Sequence, residues 1–176
     1  MKQSTFWREA SRGGAIVGLV GVVFSILAMV LPKVNGLWSI ANVALTIYLL
    51  FWFTRRRAMQ FQQEGYSYGQ SLGFIVAMSL FAGIIAGAYQ IVASNWLFPE
   101  QFEQLYEQML AAFAQAGIGG DEAEAIAAMY RSMMFSPLPA LFWSMFGSVV
   151  GNGFYGLFVA IAAKREPALF DAEDEE

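Results

Sequence analysis

A chain of 176 residues with 57% apolar and 14% charged side chains carries too little charge to cover a water-soluble domain, for which roughly 45–50% and 25% are usual. It has no cysteine and no histidine, which excludes disulfides, thiol nucleophiles, the usual zinc, copper and haem sites, and any Ser-His-Asp arrangement. A formal charge of −4, with no basic stripe interleaved with aromatics, speaks against nucleic acid as a partner.

Uncharged stretches divide the chain. They predict membrane-spanning helices at about 13–31, 37–54, 69–96 and 138–163, because hydrocarbon roughly 30 Å thick takes about 20 apolar residues to cross and a spanning backbone must satisfy its own hydrogen bonds. The predicted fold class is an all-α membrane protein of four transmembrane helices, with an outer amphipathic helical hairpin between helices three and four. Residues 1–166 read as one membrane domain and 167–176 as an acidic tail.

The first span follows Lys2, Arg8 and Arg12, as a signal peptide would. It ends Ala28-Met29-Val30-Leu31-Pro32, which lacks small residues in an A-x-A-like pattern, so it is expected to stay in place as a helix. The second span closes on Arg55, Arg56 and Arg57. The third apolar stretch is too long for one upright crossing and too short for two, which predicts a tilt or an extension beyond the bilayer.

The segment 98–136 follows. Phe98, Phe102, Leu105, Tyr106, Met109, Leu110 and Phe113 recur at helical spacing, Gln115 to Gly120 break the pattern, and Ile126, Met129, Tyr130, Met133 and Met134 resume it. Asp121 with Glu124 resembles a capping box. Glu100, Glu103, Glu107, Asp121, Glu122 and Glu124 outweigh Arg131 here. They read as the solvated face of two amphipathic helices, or else as a cation-attracting vestibule or the dock of a basic partner. Ser136-Pro137-Leu138-Pro139 leads into the last span, and Lys164-Arg165 closes it.

Eight of the ten basic residues then lie on one side of the membrane, leaving Lys33 and Arg131 on the other. The positive-inside rule predicts that both chain ends are cytoplasmic. Trp38 and Trp96 are expected as aromatic anchors at the outer surface, and Trp52, Tyr66 and Tyr68 at the inner one.

No charged side chain falls within the predicted span cores. The neutral polar groups there are Asn42 and Thr46, then Gln90 with Ser79 and Ser94, then Ser144, Ser148 and Asn152 at four-residue steps. Small residues accompany them: Gly14 and Gly18 on helix one, Gly69, Gly73, Gly83 and Gly87 on helix three, Gly147 and Gly151 on helix four. Glycines four apart let helices approach closely, and polar groups hydrogen-bond across such contacts. Three readings follow: packing of the bundle on itself, a polar path lined by Asn42, Gln90 and Asn152, or dimerisation through one GxxxG face.

The order Trp38-Ser-Ile-Ala-Asn42, Arg55–Arg57, Glu64-Gly65-Tyr66-Ser-Tyr68-Gly69-Gln70, Pro99, a long insert, Ser136-Pro137 and Lys164-Arg165 resembles domain-of-unknown-function family 4199 over residues 10 to 166. The resemblance implies a bacterial inner-membrane protein of four spans and supplies no activity and no catalytic residue.

With no nucleotide-binding loop, dinucleotide fingerprint or intramembrane carboxylate pair, an enzyme is the least supported class, and no cofactor is implied. The first expectation is a non-enzymatic scaffold or accessory subunit whose partners are the lipid bilayer and either another membrane protein or a second copy. The alternative is a small channel or carrier for a neutral or cationic solute, in which the polar residues would converge on one midplane cavity.

Overall fold

A computed structural model describes residues 2–61, 64–117 and 121–165, without the side chains of 2–4, 32, 35 and 121. Six α-helices make up the described residues: α1 Lys2–Val30, α2 Asn35–Ala58, α3 Tyr68–Val92, α4 Pro99–Gln115, α5 Asp121–Phe135 and α6 Pro137–Ala163. The segments Thr5–Val30, Gly36–Phe61, Tyr68–Leu97 and Pro137–Ala163 are each long and apolar enough to cross a membrane. The acidic tail at 167–176 and part of the break at 115–120 lie outside the described residues, as does the Asp121 side chain on which the expected capping box depends.

The third span, Tyr68–Leu97, matches the expected 69–96 to within a residue at each end, whereas α1 starts earlier and α2 ends later than the sequence reading placed them. Helix α1 begins at Lys2, well before 13, because its first turns carry Phe6 and Ala10 into the core. Helix α3 starts on a capping box at Ser67. Its hydroxyl accepts from the Gln70 N–H at 3.2 Å, while the Gln70 side chain accepts from the Ser67 N–H at 2.8 Å; this S-x-x-Q pattern is legible in the sequence. At its other end α3 does not stop. It widens into a π-helical turn, Ala93–Leu97, where the Phe98 N–H reaches back to the Ala93 carbonyl at 2.8 Å. The third apolar stretch thus runs as 30 continuous helical residues, Tyr68–Leu97, longer than one upright crossing needs.

The four long helices close a ring in which α3 packs on α1 and α6, and α2 closes the circuit against α1 and α6. Helix α3 is the most buried, with Phe74, Ile75 and Met78 at the centre of the core beside Leu50 of α2 and Ala160 of α6. Glycine sets how closely the helices approach. A Cβ on Gly14 would strike the Met78 carbonyl and the Phe81 Cβ, and one on Gly18 would lie 3.0 Å from the Ala82 carbonyl and from the Ile85 Cβ. On the other flank of α3, a Cβ on Gly83 would lie 2.5 Å from Met145 Cα, and one on Gly87 would lie 3.0 Å from Leu141 Cα.

Chain ends and loops gather at the two poles of the ring. At one pole the Tyr66 N–H donates to the Arg165 carbonyl at 2.8 Å and the Arg165 N–H to the Tyr66 carbonyl at 2.9 Å, tying the α2–α3 connection to the chain beyond α6. The start of α1 packs at this same pole, on Phe74 and Arg57. At the other pole α4 and α5 rest on the π turn and on α6. Tyr106 meets the Ala127 carbonyl at 3.4 Å, Phe113 meets Tyr130 at 5.9 Å, and Arg131 lies 3.6 Å from Glu103.

Leucine at Gly83 should destabilise the protein by about 1–3 kcal/mol, the usual cost of overpacking, seen as a lowered unfolding midpoint in detergent. Alanine at Gly73, over which nothing lies within 4 Å, should leave the midpoint unchanged or slightly raised. A Gly83→Leu protein as stable as the parent would refute the α3–α6 contact.

Candidate functional site

Three consecutive arginines end α2, and successive residues on an α-helix point about 100° apart, so only one can face the bundle. Arg55 lies over Phe51 at 5.6 Å and Arg56 over Trp52 at 5.4 Å, each folded back one turn along the helix surface. Arg57 turns inward and is 6% exposed. Its guanidinium stacks on Phe6 at 4.9 Å, Phe74 at 5.1 Å and Phe61 at 5.6 Å. Such a desolvated cation over aromatic faces gains about 2 kcal/mol or more per good contact.

Helix α1 supplies the counter-charge. Arg57 Nη1 lies 2.5 Å from Glu9 Oε2, and Gln60 Nε2 donates to Glu9 Oε1 at 3.1 Å. The Arg57 Nε–H, also buried, has no acceptor among the described residues. Tyr66 closes the cluster: its ring lies 5.2 Å from Phe61 and its hydroxyl donates to the Gln70 carbonyl at 3.2 Å. Burial pushes the Tyr66 hydroxyl above its ordinary pKa, while neighbouring Arg57 pulls it back. At 3% exposed, Tyr66 is a core residue. This corrects the expectation that it anchors at the headgroup level; Trp52, Trp96 and Tyr68 do present exposed rings.

Beside this cluster, between α1 and α2, lies a cavity of about 420 Å³ lined by Arg8, Glu9, Arg12, Ile16, Trp52, Phe53, Arg56, Arg57, Gln60 and Phe74. Its volume falls within the range of small-ligand sites. Both helices contribute arginines and both contribute apolar side chains to it. Among the described residues no carboxylate pairs with Arg8, Arg12 or Arg56, so Glu9 alone offsets four guanidinium groups.

The polar residues singled out from the sequence are dispersed. Gln90 donates to the Met133 carbonyl at 3.3 Å. Asn42 is half-buried on α2, with its side-chain oxygen unpaired, and Thr46 is buried one turn on. Ser144 sits in the α3–α6 contact against Gly83 and Gly87. Ser148 and Asn152 are half-buried further along α6. No hydrogen bond joins any two of Asn42, Gln90 and Asn152 among the described residues.

The glycines divide in two. Gly14, Gly18, Gly83 and Gly87 sit in helix contacts, whereas Gly69, Gly73, Gly147 and Gly151 have nothing within 4 Å of a built Cβ. For this second group the packing reading fails within one chain, and the helical period is the reason. The seam on α3 drifts from Gly87 and Gly83 to Ile75 and Leu72, which receive Gly156, and so bypasses Gly73 and Gly69. On α6, positions 147 and 151 are rotated roughly a third of a turn from the contact line through Leu141, Met145, Gly156 and Val159.

The sequence reading also missed how α5 is held. Its last carbonyls lack intrahelical partners. The Met133 carbonyl receives the Gln90 amide, and the Phe135 carbonyl receives the Asn95 amide at 3.4 Å. Glu9 and Arg57 were likewise missed as a pair. The available signal was that Glu9 is the lone carboxylate before Glu64 in an otherwise basic stretch. No group of three or more His, Cys, Asp or Glu side chains able to hold a metal occurs among the described residues.

Replacing Arg57 by glutamine leaves Glu9 without its counter-charge, with only the Gln60 amide still donating to it. Because Glu9 keeps 29% side-chain exposure, the loss should fall near the low end of the roughly 3–5 kcal/mol typical of a broken buried pair. Glu9→Gln should cost a similar amount, and the double variant less than the two combined. Strictly additive losses in denaturant unfolding would show that the pair is not coupled.

Neither the curated proteins nor the solved structures hold a match to the chain. The family described as "Protein of unknown function (DUF4199)" matches residues 12–165, from the basic start of α1 to the bridge at Arg165. Its match covers the first long apolar helix from residue 12 onward, the other three whole, and the α4–α5 segment between the last two, and the chain belongs to this family.

Proposed function

We propose that the chain is a multi-pass protein of the bacterial inner membrane that works by association, as a scaffold or accessory subunit, with a second copy as its first partner. Both ends lie in the cytoplasm, and α4 with α5 forms a helical hairpin at the outer surface. The observation that carries the reading is the outward placement of Gly147 and Gly151. They stand four residues apart on α6, open to the surroundings, among exposed Trp143, Phe146, Val150 and Phe154.

In lipid the helices have no hydrophobic drive to associate, and close approach at small residues supplies the van der Waals contact instead. A glycine facing acyl chains contributes little, whereas two of them one turn apart form a groove for another helix. The polar residues favour association over carriage. Gln90 is committed to α5, Ser144 to the α3–α6 contact, and Asn42 lies apart from both. The orientation is supported by the pole that gathers the start of α1, the Arg55–Arg57 end of α2 and Arg165, because positive charge concentrates there.

Particle mass in mild detergent, with detergent subtracted, should correspond to a dimer or larger assembly. Leucine at Gly147 or Gly151 should convert it to a monomer that keeps the parent's helix content by circular dichroism, because neither position touches another part of the same chain. A monomeric parent protein would overturn self-association, and a stoichiometric co-purifying protein would then identify the partner. Reporter fusions at either terminus should read cytoplasmic, and a periplasmic signal from either one would overturn the orientation.

A further inference from the structure

The cavity between α1 and α2 plays no part in the association reading, and its lining is specific in chemistry. Arg8 and Arg12 stand one turn apart on α1, facing Arg56 and Arg57 at the end of α2. Among the described residues four guanidinium groups meet one carboxylate, a surplus of three positive charges that favours an anion. Arg57 is fixed by Glu9 and by three aromatic rings, and its buried Nε–H lacks an acceptor. Arginine forks match the oxygens of a phosphate group.

The remaining lining decides what kind of phosphate. Ile16, Trp52 and Phe53 extend from the arginines into the apolar segments Thr5–Val30 and Gly36–Phe61. Ile16 is 36% exposed and Trp52 is 42% exposed, so this apolar wall opens outward, toward lipid, at the level where the spans end. A soluble anion would use the cationic half of the cavity and leave the apolar half bare. A phospholipid fills both, with its phosphate among the arginines and its first acyl carbons on Ile16 and Trp52. Basic pockets between membrane helices recognise anionic headgroups by this division of labour.

We infer that this cavity is a binding site for the phosphate headgroup of an anionic phospholipid. The inference rests on the chain lying in a membrane and is independent of any second copy, since the exposed glycines of α6 take no part in the cavity. Native mass spectrometry of the detergent-purified protein, titrated separately with phosphatidylglycerol, phosphatidylcholine and inorganic phosphate, tests it. Phosphatidylglycerol should be retained on the order of tenfold more tightly than phosphatidylcholine, and inorganic phosphate should not displace it at equal concentration.

Arg12→Gln and Arg56→Gln should each weaken phosphatidylglycerol retention about fivefold, the factor one basic residue near an anionic surface contributes. Both side chains are exposed and unpaired among the described residues, so folding should be retained. Arg131→Gln, at the opposite pole, should leave retention unchanged. Equal retention of the two lipids by the parent protein would overturn the inference without any variant. So would displacement by inorganic phosphate, which would mark a site for a soluble anion, or full retention in the Arg12→Gln/Arg56→Gln double variant.

Discussion

Helices immersed in lipid gain nothing from burying apolar surface against one another, so a bundle holds together only where backbones come close enough for dense contact. In this protein that constraint is met along α3. Gly14 and Gly18 of α1 lie against Met78 to Ile85 on one flank, and Gly83 and Gly87 receive Leu141 to Met145 of α6 on the other. With α1 and α6 seated on α3, α2 is left to close the ring and stays the most exposed of the four. The loops at each pole, and the polar groups that settle there, follow from this seating.

The two poles solve the problem of polar groups beside an apolar bundle in different ways. At one, a buried guanidinium is neutralised by a carboxylate from another helix and shielded by aromatic faces, an arrangement whose cost of desolvation is offset only because the geometry is good. At the other, the carbonyls left open at the end of α5 are met by the amides of Gln90 and Asn95. The π turn at Ala93–Leu97 makes the second solution available, since the extra residue per turn presents Asn95 toward α5 while Ala93 and Ser94 stay buried. Of the residues that a polar-path reading would line up, Gln90 is engaged with α5 and Ser144 lies in the α3–α6 contact.

What the bundle leaves open is as informative as what it closes. The outward face of α6 carries large aromatic side chains interrupted by two glycines, a profile that suits a helix partner better than acyl chains. The cleft between α1 and α2 joins arginines from both helices to aliphatic and aromatic side chains, a combination that matches the chemistry of the membrane interface itself. These two features carry the proposals of self-association and of headgroup binding.

Much of the architecture was legible in the sequence, because it depends on lengths and periods that a chain cannot disguise. Uncharged stretches of about 20 residues or more set the long helices, the Arg55–Arg57 run marked the end of α2, and the apolar periodicity of 98–136 separated α4 from α5. The S-x-x-Q cap at Ser67 was there to be read as well. Tertiary structure alone decided which glycines meet a helix, because the seam drifts with the 3.6-residue period and with the crossing of α3 and α6. It also decided which of three adjacent arginines turns inward to Glu9, a partner 48 positions away. Spacing along one helix states which residues share a face, but only the placement of its neighbours states what that face touches.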